Sequence, residues 1–329
     1  DTVSYGPDRR GRLLPGSAYE STEPLDMRRG AAEEQAAAQT RGPNPPGAPT
    51  PTTPPTSKRA EDAPTPPLSG AQKAHLLGAE TALWTEVVSP DMLDARLWPR
   101  AAAVAERFWS PAAVCDATTL YPRLAIMEDR LNLLGLQART NTTRMLERMA
   151  PGETEAAEVL LGAVSPVRNY AHNHEFLQIR HKQTATEQAL DTPADIASPD
   201  SFDAESFNAE AKAFISGHTE LRHDLEHRLN LWVNNDSAFT RAAAHNAALT
   251  PALPASAQLA ELARAGLAAL GSGHTLNWRE NARTALLAAK KDIAASASIH
   301  VVTNTPQPPG DLIQRIVPGV EVLLDQSIP

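Results

Sequence analysis

The sequence predicts a mainly α-helical chain entered through one β/α unit. Three observations carry this: a strand-like run at 77–88, an amphipathic stretch directly after it, and helical-period stripes through the C-terminal half. The run reads Leu77-Gly-Ala-Glu-Thr-Ala-Leu-Trp-Thr-Glu-Val-Val88, then Ser-Pro, and its β-branched content with the proline stop predicts a strand ending near Val88. After it, Pro99 fits a first helical turn, and Ala101, Val104, Ala105 and Phe108 fall at i, i+3, i+4 and i+7. A strand, a loop and an amphipathic helix form one β/α unit, which buries its edges only within a parallel sheet or barrel.

The rest reads as helix. Asp116 to Gly135 is the clearest case, with Leu120, Leu124, Met127, Leu131 and Leu134 in a stripe that ends on a stop glycine. Further helices are expected over about 153–164, about 204–233 along Phe214, His218, Leu221, Leu225, Leu229 and Trp232, about 256–270 closed by Gly271, and about 278–296. His300-Val-Val is the best period-2 run there, so an antiparallel helical layer is expected and not a second sheet. Upstream, 43–67 is proline-rich with almost no large apolar groups, and it is read as a disordered linker or loop insertion. The Ala/Glu/Gln-rich stretch Arg29 to Arg41 before it fits a short exposed helix. The expected domains are 1–67 as loop remnant and insertion, 68–150 as the β/α unit with its following helices, and 151–329 as a helical C-terminal domain.

Composition excludes several function classes. The formal charge of −9 is spread along the chain without a basic stripe, so nucleic acid is not an expected partner. No run of eighteen apolar residues occurs, so no membrane span or membrane partner is expected. A single cysteine, Cys115, allows neither an internal disulfide nor a cysteine-based zinc cluster. The chain begins in a polar stretch without methionine, and it is read as a fragment of a longer protein.

Alternation along 77–88 puts Glu80, Ala82, Trp84 and Glu86 on one face and Ala79, Thr81, Leu83, Thr85 and Val87 on the other. A face holding an indole between two carboxylates suits a plain apolar core poorly, because each buried carboxylate needs donors. It suits a sugar, whose axial C–H bonds an indole covers and whose hydroxyls a carboxylate accepts. Trp84 and Glu86 are the candidate substrate-binding pair. The strand equally fits a packed Trp84 with Glu86 paired to an arginine at the rim.

Leu77-Gly-Ala-Glu-Thr-Ala-Leu-Trp-Thr-Glu86, followed by Arg96-Leu-Trp-Pro-Arg100 and Ala105-Glu-Arg-Phe-Trp-Ser110, resembles the closing segment of family 20 glycoside hydrolases, the β-N-acetylhexosaminidases. Pro67 to His75 resembles the short helix leading into that strand, and Tyr121-Pro-Arg-Leu with Leu133-Leu-Gly-Leu resembles the family's final helix. The resemblance implies a (β/α)8 TIM barrel, here incomplete, with this strand its eighth and Trp84 and Glu86 at its mouth. It implies that Trp84 walls the pocket for a terminal N-acetylhexosamine of a glycan or chitooligosaccharide, and that Glu86 bonds the outer hydroxyls. Glu80, Arg100 and Glu106 are read as structural ion-pair partners. The family's substrate-assisted chemistry uses an Asp-Glu pair in a His-x-Gly-Gly-Asp-Glu stretch, and this chain has no such stretch. No catalytic residue is therefore assigned here, no cofactor and no metal is expected, and a missing N-terminal segment or a separate chain would complete the barrel. A periplasmic or secreted location is what the resemblance implies.

Other motifs carry less. His223-Asp-Leu-Glu-His227 fits a His-x-x-Glu-His zinc pattern, but at helical pitch both histidines fall about 160° from the apolar position Leu225, on the solvated side. His172 and His174 are read as loop residues, and Asn141-Thr-Thr and Asn235-Asp-Ser as chance glycosylation triplets. The competing reading of the whole chain is a non-catalytic helical scaffold or interaction module. It accounts for 151–329, but not for a tryptophan and two carboxylates on one strand face.

Overall fold

A computed structural model describes residues 70–73, 81, 83, 85, 88–98, 100–111, 113–114, 116, 119–167, 190–271, 277–296 and 308–326. The chain divides into two compact units, Glu20–Glu80 on the one hand and Asp1–Tyr19 with Thr81–Pro329 on the other. In the first, the described residues form a single helical turn, α1 (Gly70–Lys73), where the short lead-in helix was expected. The expected proline-rich insertion, the 29–41 helix, Cys115, His172, His174 and His300-Val-Val lie outside the described residues.

The larger unit is mostly helical. It opens with a 3-10 turn, Pro90–Met92, that runs into α2 (Leu93–Leu97). That helix stops at Trp98, which is extended at φ −106 and ψ 143, because a residue preceding proline is held out of the helical region. The chain then resumes as α3 (Arg100–Trp109), α4 (Leu120–Leu133), α5 (Ala138–Met149) and α6 (Thr154–Leu161). A short strand, β1 (Val164–Pro166), follows, and then a one-turn helix, α7 (Pro193–Ile196). The remaining elements are α8 (Phe202–Ile215), α9 (Arg222–His245), α10 (Leu253–Ala269), α11 (Trp278–Ser296), β2 (Leu312–Gln314) and α12 (Val317–Gln326).

The core sits among α6 and α8–α12. Helices α9 and α10 run antiparallel, with Asp236 accepting from the Ser256 hydroxyl at 3.0 Å. Leu225, Leu229, Phe239, Leu259 and Leu262 are fully buried between them and their neighbours. Phe207 of α8 meets Trp232 of α9 edge to face, with centroids 5.1 Å apart. Strands β1 and β2 pair antiparallel, with Ser165 opposite Ile313. This ladder and α12 tie the end of the chain into the core.

Several expectations are corrected. Of the predicted strand, Thr81, Leu83, Thr85 and Val88 are described and none is in a strand; Val88 N–H donates to the Thr85 carbonyl at 3.2 Å, where a strand would send it to a neighbouring strand. A barrel strand is held by ladders to its neighbours, and among the described residues no strand lies beside it to supply one. The single helix expected over about 204–233 is two helices, broken at Gly217, whose φ of 114° ends α8 and turns the chain into α9. The clearest predicted helix begins at Leu120 and not at Asp116, and Leu134 at its end is exposed. The ladder β1–β2 is a small sheet in the helical region, where none was expected.

Candidate functional site

Trp84 and Glu86, the candidate substrate-binding pair, lie outside the described residues, as do Glu80 and Pro99. What the structure describes is the frame beside them. Thr85 is exposed, Val88 packs on the main core, and Met92 is buried within it, so the chain is anchored within a few residues of the pair.

The Arg-x-Trp-Pro-Arg stretch supplies the rest of that anchor. Helix α7 is one turn long, so most of its carbonyls have no partner within it. Arg96 provides them: its buried guanidinium donates to the carbonyls of Asp195 at 2.7 Å and Ala194 at 3.2 Å, and also to Ala197. At the other end of α7, the Asp195 carboxylate accepts from the Thr192 amide at 3.0 Å and from its hydroxyl at 2.6 Å.

Four residues on, Arg100 forks onto Asp200, with Nε to Oδ2 at 2.6 Å and a second nitrogen to Oδ1 at 3.1 Å. Both side chains are buried, and this bidentate geometry is the strong form of the pair. Ser165 of β1 donates to the Pro199 carbonyl at 2.9 Å, and Ser201 donates to the Val164 carbonyl. The two arginines therefore clamp 194–200 between the motif and β1. Arg100 acts as the structural ion-pair partner expected of it, and Glu106 does too, accepting from Arg123 at 2.7 and 3.0 Å.

The clamp sets which face α3 buries. The predicted stripe was Ala101, Val104, Ala105 and Phe108; the buried residues are Arg100, Ala103 and Val104, while Ala105 and Phe108 are exposed. Arg100 turns its side of the helix toward Asp200, and Ala103 and Val104 meet Leu120 and Leu124 of α4 in a small separate cluster. Tyr121 lies edge to face with Phe202 at 6.0 Å against this cluster. Burial pushes its phenol above the ordinary tyrosine range, and the nearby negative charges of Glu205 and Asp200 add to the shift. Asp91 moves the other way: the hydrogen bond from Arg148 holds its carboxyl below the usual value, with Arg144 contributing.

The remaining motifs have structural partners. His223 and His227 are exposed on α9 opposite buried Leu225, and Glu226 accepts from Arg222 at 3.2 Å. Among the described residues no three His, Cys, Asp or Glu side chains gather as a metal site would need. Asn141 is buried and donates to the Asp91 carbonyl at 2.7 Å, and Asn235 is buried and donates to Ala156 at 3.0 Å, so both amides serve packing and not glycan attachment. Among the described residues no helix is long and apolar enough to cross a membrane.

Sequence reasoning missed α5, the Arg96 clamp and Asp200. The signal for the clamp was the pair of arginines in the Arg-x-Trp-Pro-Arg stretch; their partners lie about a hundred residues away and carry no motif.

Comparison with known proteins bears on the same stretch. Residues 24–112 match the family model for the catalytic domain of glycosyl hydrolase family 20. The β-hexosaminidase subunit beta of Mus musculus is 45% identical over 71 residues, covering 22% of this chain and 13% of that protein. The chitooligosaccharidolytic β-N-acetylglucosaminidase of Ostrinia furnacalis is 48% identical over 65 residues, covering 20% and 11%. The chain thus spans about an eighth of the length of the curated relatives it matches. A crystal structure of a chitobiase from Flavobacterium johnsoniae aligns with a TM-score of 0.62 at 22% identity, over 78% of this chain and 36% of the chitobiase. That share of a 329-residue chain is more than twice the stretch up to residue 112, so the likeness in fold takes in the helical region.

Proposed function

We propose, from the match of residues 24–112 to the catalytic-domain model of glycosyl hydrolase family 20, that the chain is the C-terminal part of a β-N-acetylhexosaminidase that holds the sugar but does not cleave it. In this reading 1–67 is a loop remnant with its insertion, 68–150 the closing segment and helices of the catalytic domain, and 151–329 a helical domain against which they are clamped. Trp84 covers the apolar face of a terminal N-acetylhexosamine, and Glu86 accepts hydrogen bonds from its outer hydroxyls. The Asp-Glu pair that would set the acetamide oxygen against the anomeric carbon and protonate the leaving oxygen comes from the missing part of the barrel.

The observation that carries the reading is the sequence of motifs from Leu-Trp-Thr-Glu86 to Arg96-Leu-Trp-Pro-Arg100, which falls inside the matched family segment. A second observation fits a barrel completed by other chain. Helix α3 buries one face against the clamp and leaves Ala105, Phe108 and Trp109 exposed on the other, the last at 91%. An amphipathic helix with apolar residues on its free side is built to be covered.

The test uses the purified chain. It is expected to give no turnover of a chromogenic N-acetylglucosaminide, and to bind N-acetylglucosamine with a shift of the Trp84 indole signal in NMR. Glu86→Gln should weaken that binding by about tenfold or more, the cost of losing a charged acceptor. Turnover by the isolated chain, or a Trp84 signal that does not respond to the sugar, would overturn the proposal.

A further inference from the structure

A cavity lined among the described residues by Trp98 and Phe202 has the chemistry of a sugar site. It measures about 410 Å³ and opens between α2, α5, α6 and the start of α8. Half-buried Trp98 and Phe202 stand in its wall, the former from the Arg-x-Trp-Pro-Arg stretch and the latter from the first turn of α8. Ile196, Leu146 and Leu161 add apolar surface.

The polar lining is unbalanced. Two of its carboxylates are already engaged, Asp200 by Arg100 and Glu128 by Arg139, at 2.6 and 2.8 Å. Arg139, the cation of the wall, is itself shared between Glu128 and Asp129. Glu158 and Asp203 also line the cavity, and among the described residues neither side chain has a hydrogen-bond partner. The indole N–H of Trp98 is in the same position. Two free carboxylates, against the Trp98 indole N–H and the Thr143 hydroxyl as donors, and a pair of aromatic rings ask for a ligand rich in hydroxyl donors with an apolar face, and they disfavour an anion.

The backbone is shaped around one of these acceptors. Gly162 ends α6 directly beneath Asp203, and a Cβ built there would collide with the Asp203 carboxylate. The glycine leaves the space in which that carboxylate stands at the cavity wall.

We propose that this cavity is a second carbohydrate site, which takes a neutral pyranose unit of a glycan against Trp98, with Glu158 and Asp203 accepting from its hydroxyls. The volume is at the small end of ligand pockets and suits one or two sugar rings. The choice of a glycan rests on the hexosaminidase reading; the shape and the excess of acceptors do not. A second site would hold another part of a long substrate, or keep the protein on a glycan surface between cleavage events.

The experiment titrates the full chain with N,N′-diacetylchitobiose and follows the indole N–H signals of Trp84 and Trp98 by NMR. The Trp98 signal should shift, it should still shift in a Trp84→Ala, Glu86→Gln variant, and its apparent Kd should rise at least about tenfold in a Glu158→Gln, Asp203→Asn variant. Glu158 and Asp203 are exposed, so the variant should keep its fold, which far-UV circular dichroism checks. Gly162→Ala provides an independent arm: by displacing the Asp203 carboxylate it should weaken the Trp98 response and leave that of Trp84 unchanged. A Trp98 signal that stays still, or that responds equally in the Glu158→Gln, Asp203→Asn variant, overturns the second site while leaving the Trp84 response to judge the first. A Trp98 shift without a Trp84 shift supports the second site and counts against the first.

Discussion

Residues 88–135 and residues 154–326 are both amphipathic helices in sequence, yet they bury their apolar faces to different degrees. In the C-terminal region, Phe207, Leu225, Leu229, Phe239, Leu259 and Leu262 are fully buried, and its stripes meet one another. In the earlier region, helices α3 and α4 bury four residues in a cluster of their own, while Phe108, Trp109, Ile126, Leu133 and Leu134 stay exposed. Burial is what makes a helix persist at these lengths. The C-terminal region therefore carries its own stability, whereas the earlier one borrows it through two arginines and the buried Met92 and presents its remaining apolar surface outward. The comparison sets a region packed within itself beside one whose remaining apolar surface faces outward.

The largest expected effect tests the C-terminal side. Phe207→Ala removes a fully buried ring and its edge-to-face contact with Trp232, and the site is ringed by packed helices that cannot collapse into the space. It should cost about 3–5 kcal/mol, read as a lower urea midpoint with an unchanged slope. A loss under about 1 kcal/mol would mean that the C-terminal core is loosely packed, and the contrast between the regions would fall.

Next comes the clamp. Asp200→Ala takes the carboxylate from a buried arginine, and it should destabilise the chain by roughly 3 kcal/mol, the lower end for breaking a buried pair. The more telling readout is local. Hydrogen exchange should rise across α3 and α4 before it rises in α9 and α10, because the first pair depends on the clamp and the second does not. Uniform acceleration would show that the regions are one cooperative unit.

How much of this was legible in the sequence follows the same divide. Helices α10 and α11 were legible to within a few residues, because stripes such as Leu259, Leu262 and Ala263 report a core made by neighbours in the same chain. The break at Gly217 was missed because the apolar period continues through it, with Phe214 and Leu221 on either side. For α3 the period named the wrong face: Ala101, Val104, Ala105 and Phe108 form a sound stripe, but Arg100 and its partner a hundred residues on decide which side is buried. The ion-pair roles of Arg100 and Glu106 were readable, since a charge next to an apolar stripe must find a partner. Asp200 was not, because nothing local marks it. Trp84 and Glu86 were read from chemistry and resemblance, and lie outside the described residues.

A smaller effect probes the seam between the regions. Tyr121 is held with its phenol above the usual range by burial and by the charges of Glu205 and Asp200. In the unfolded chain it ionises near about pH 10, so its contribution is complete below that pH and is lost as pH rises from there toward the higher folded value. Urea midpoints at about pH 8 and about pH 11 should differ more for the native chain than for Tyr121→Phe, which has no proton to lose. Equal differences would place Tyr121 in water and open the seam.

The smallest expected effect is the one that most sharpens the comparison. Trp109 and Leu133 are 91% and 88% exposed, so Trp109→Gln and Leu133→Gln remove almost no buried surface, and each should change stability by no more than about 0.5 kcal/mol. What should change is association. Exposed indole and leucine surface binds hydrophobic dyes and draws chains together, and both tendencies should fall in the double variant, measured by dye fluorescence and by sedimentation of the chain over a range of concentrations. If these residues instead prove costly to replace, their surface is already covered in solution, and sedimentation will show by what: a larger species means a second copy, and an unchanged monomer means that this chain closes over them itself.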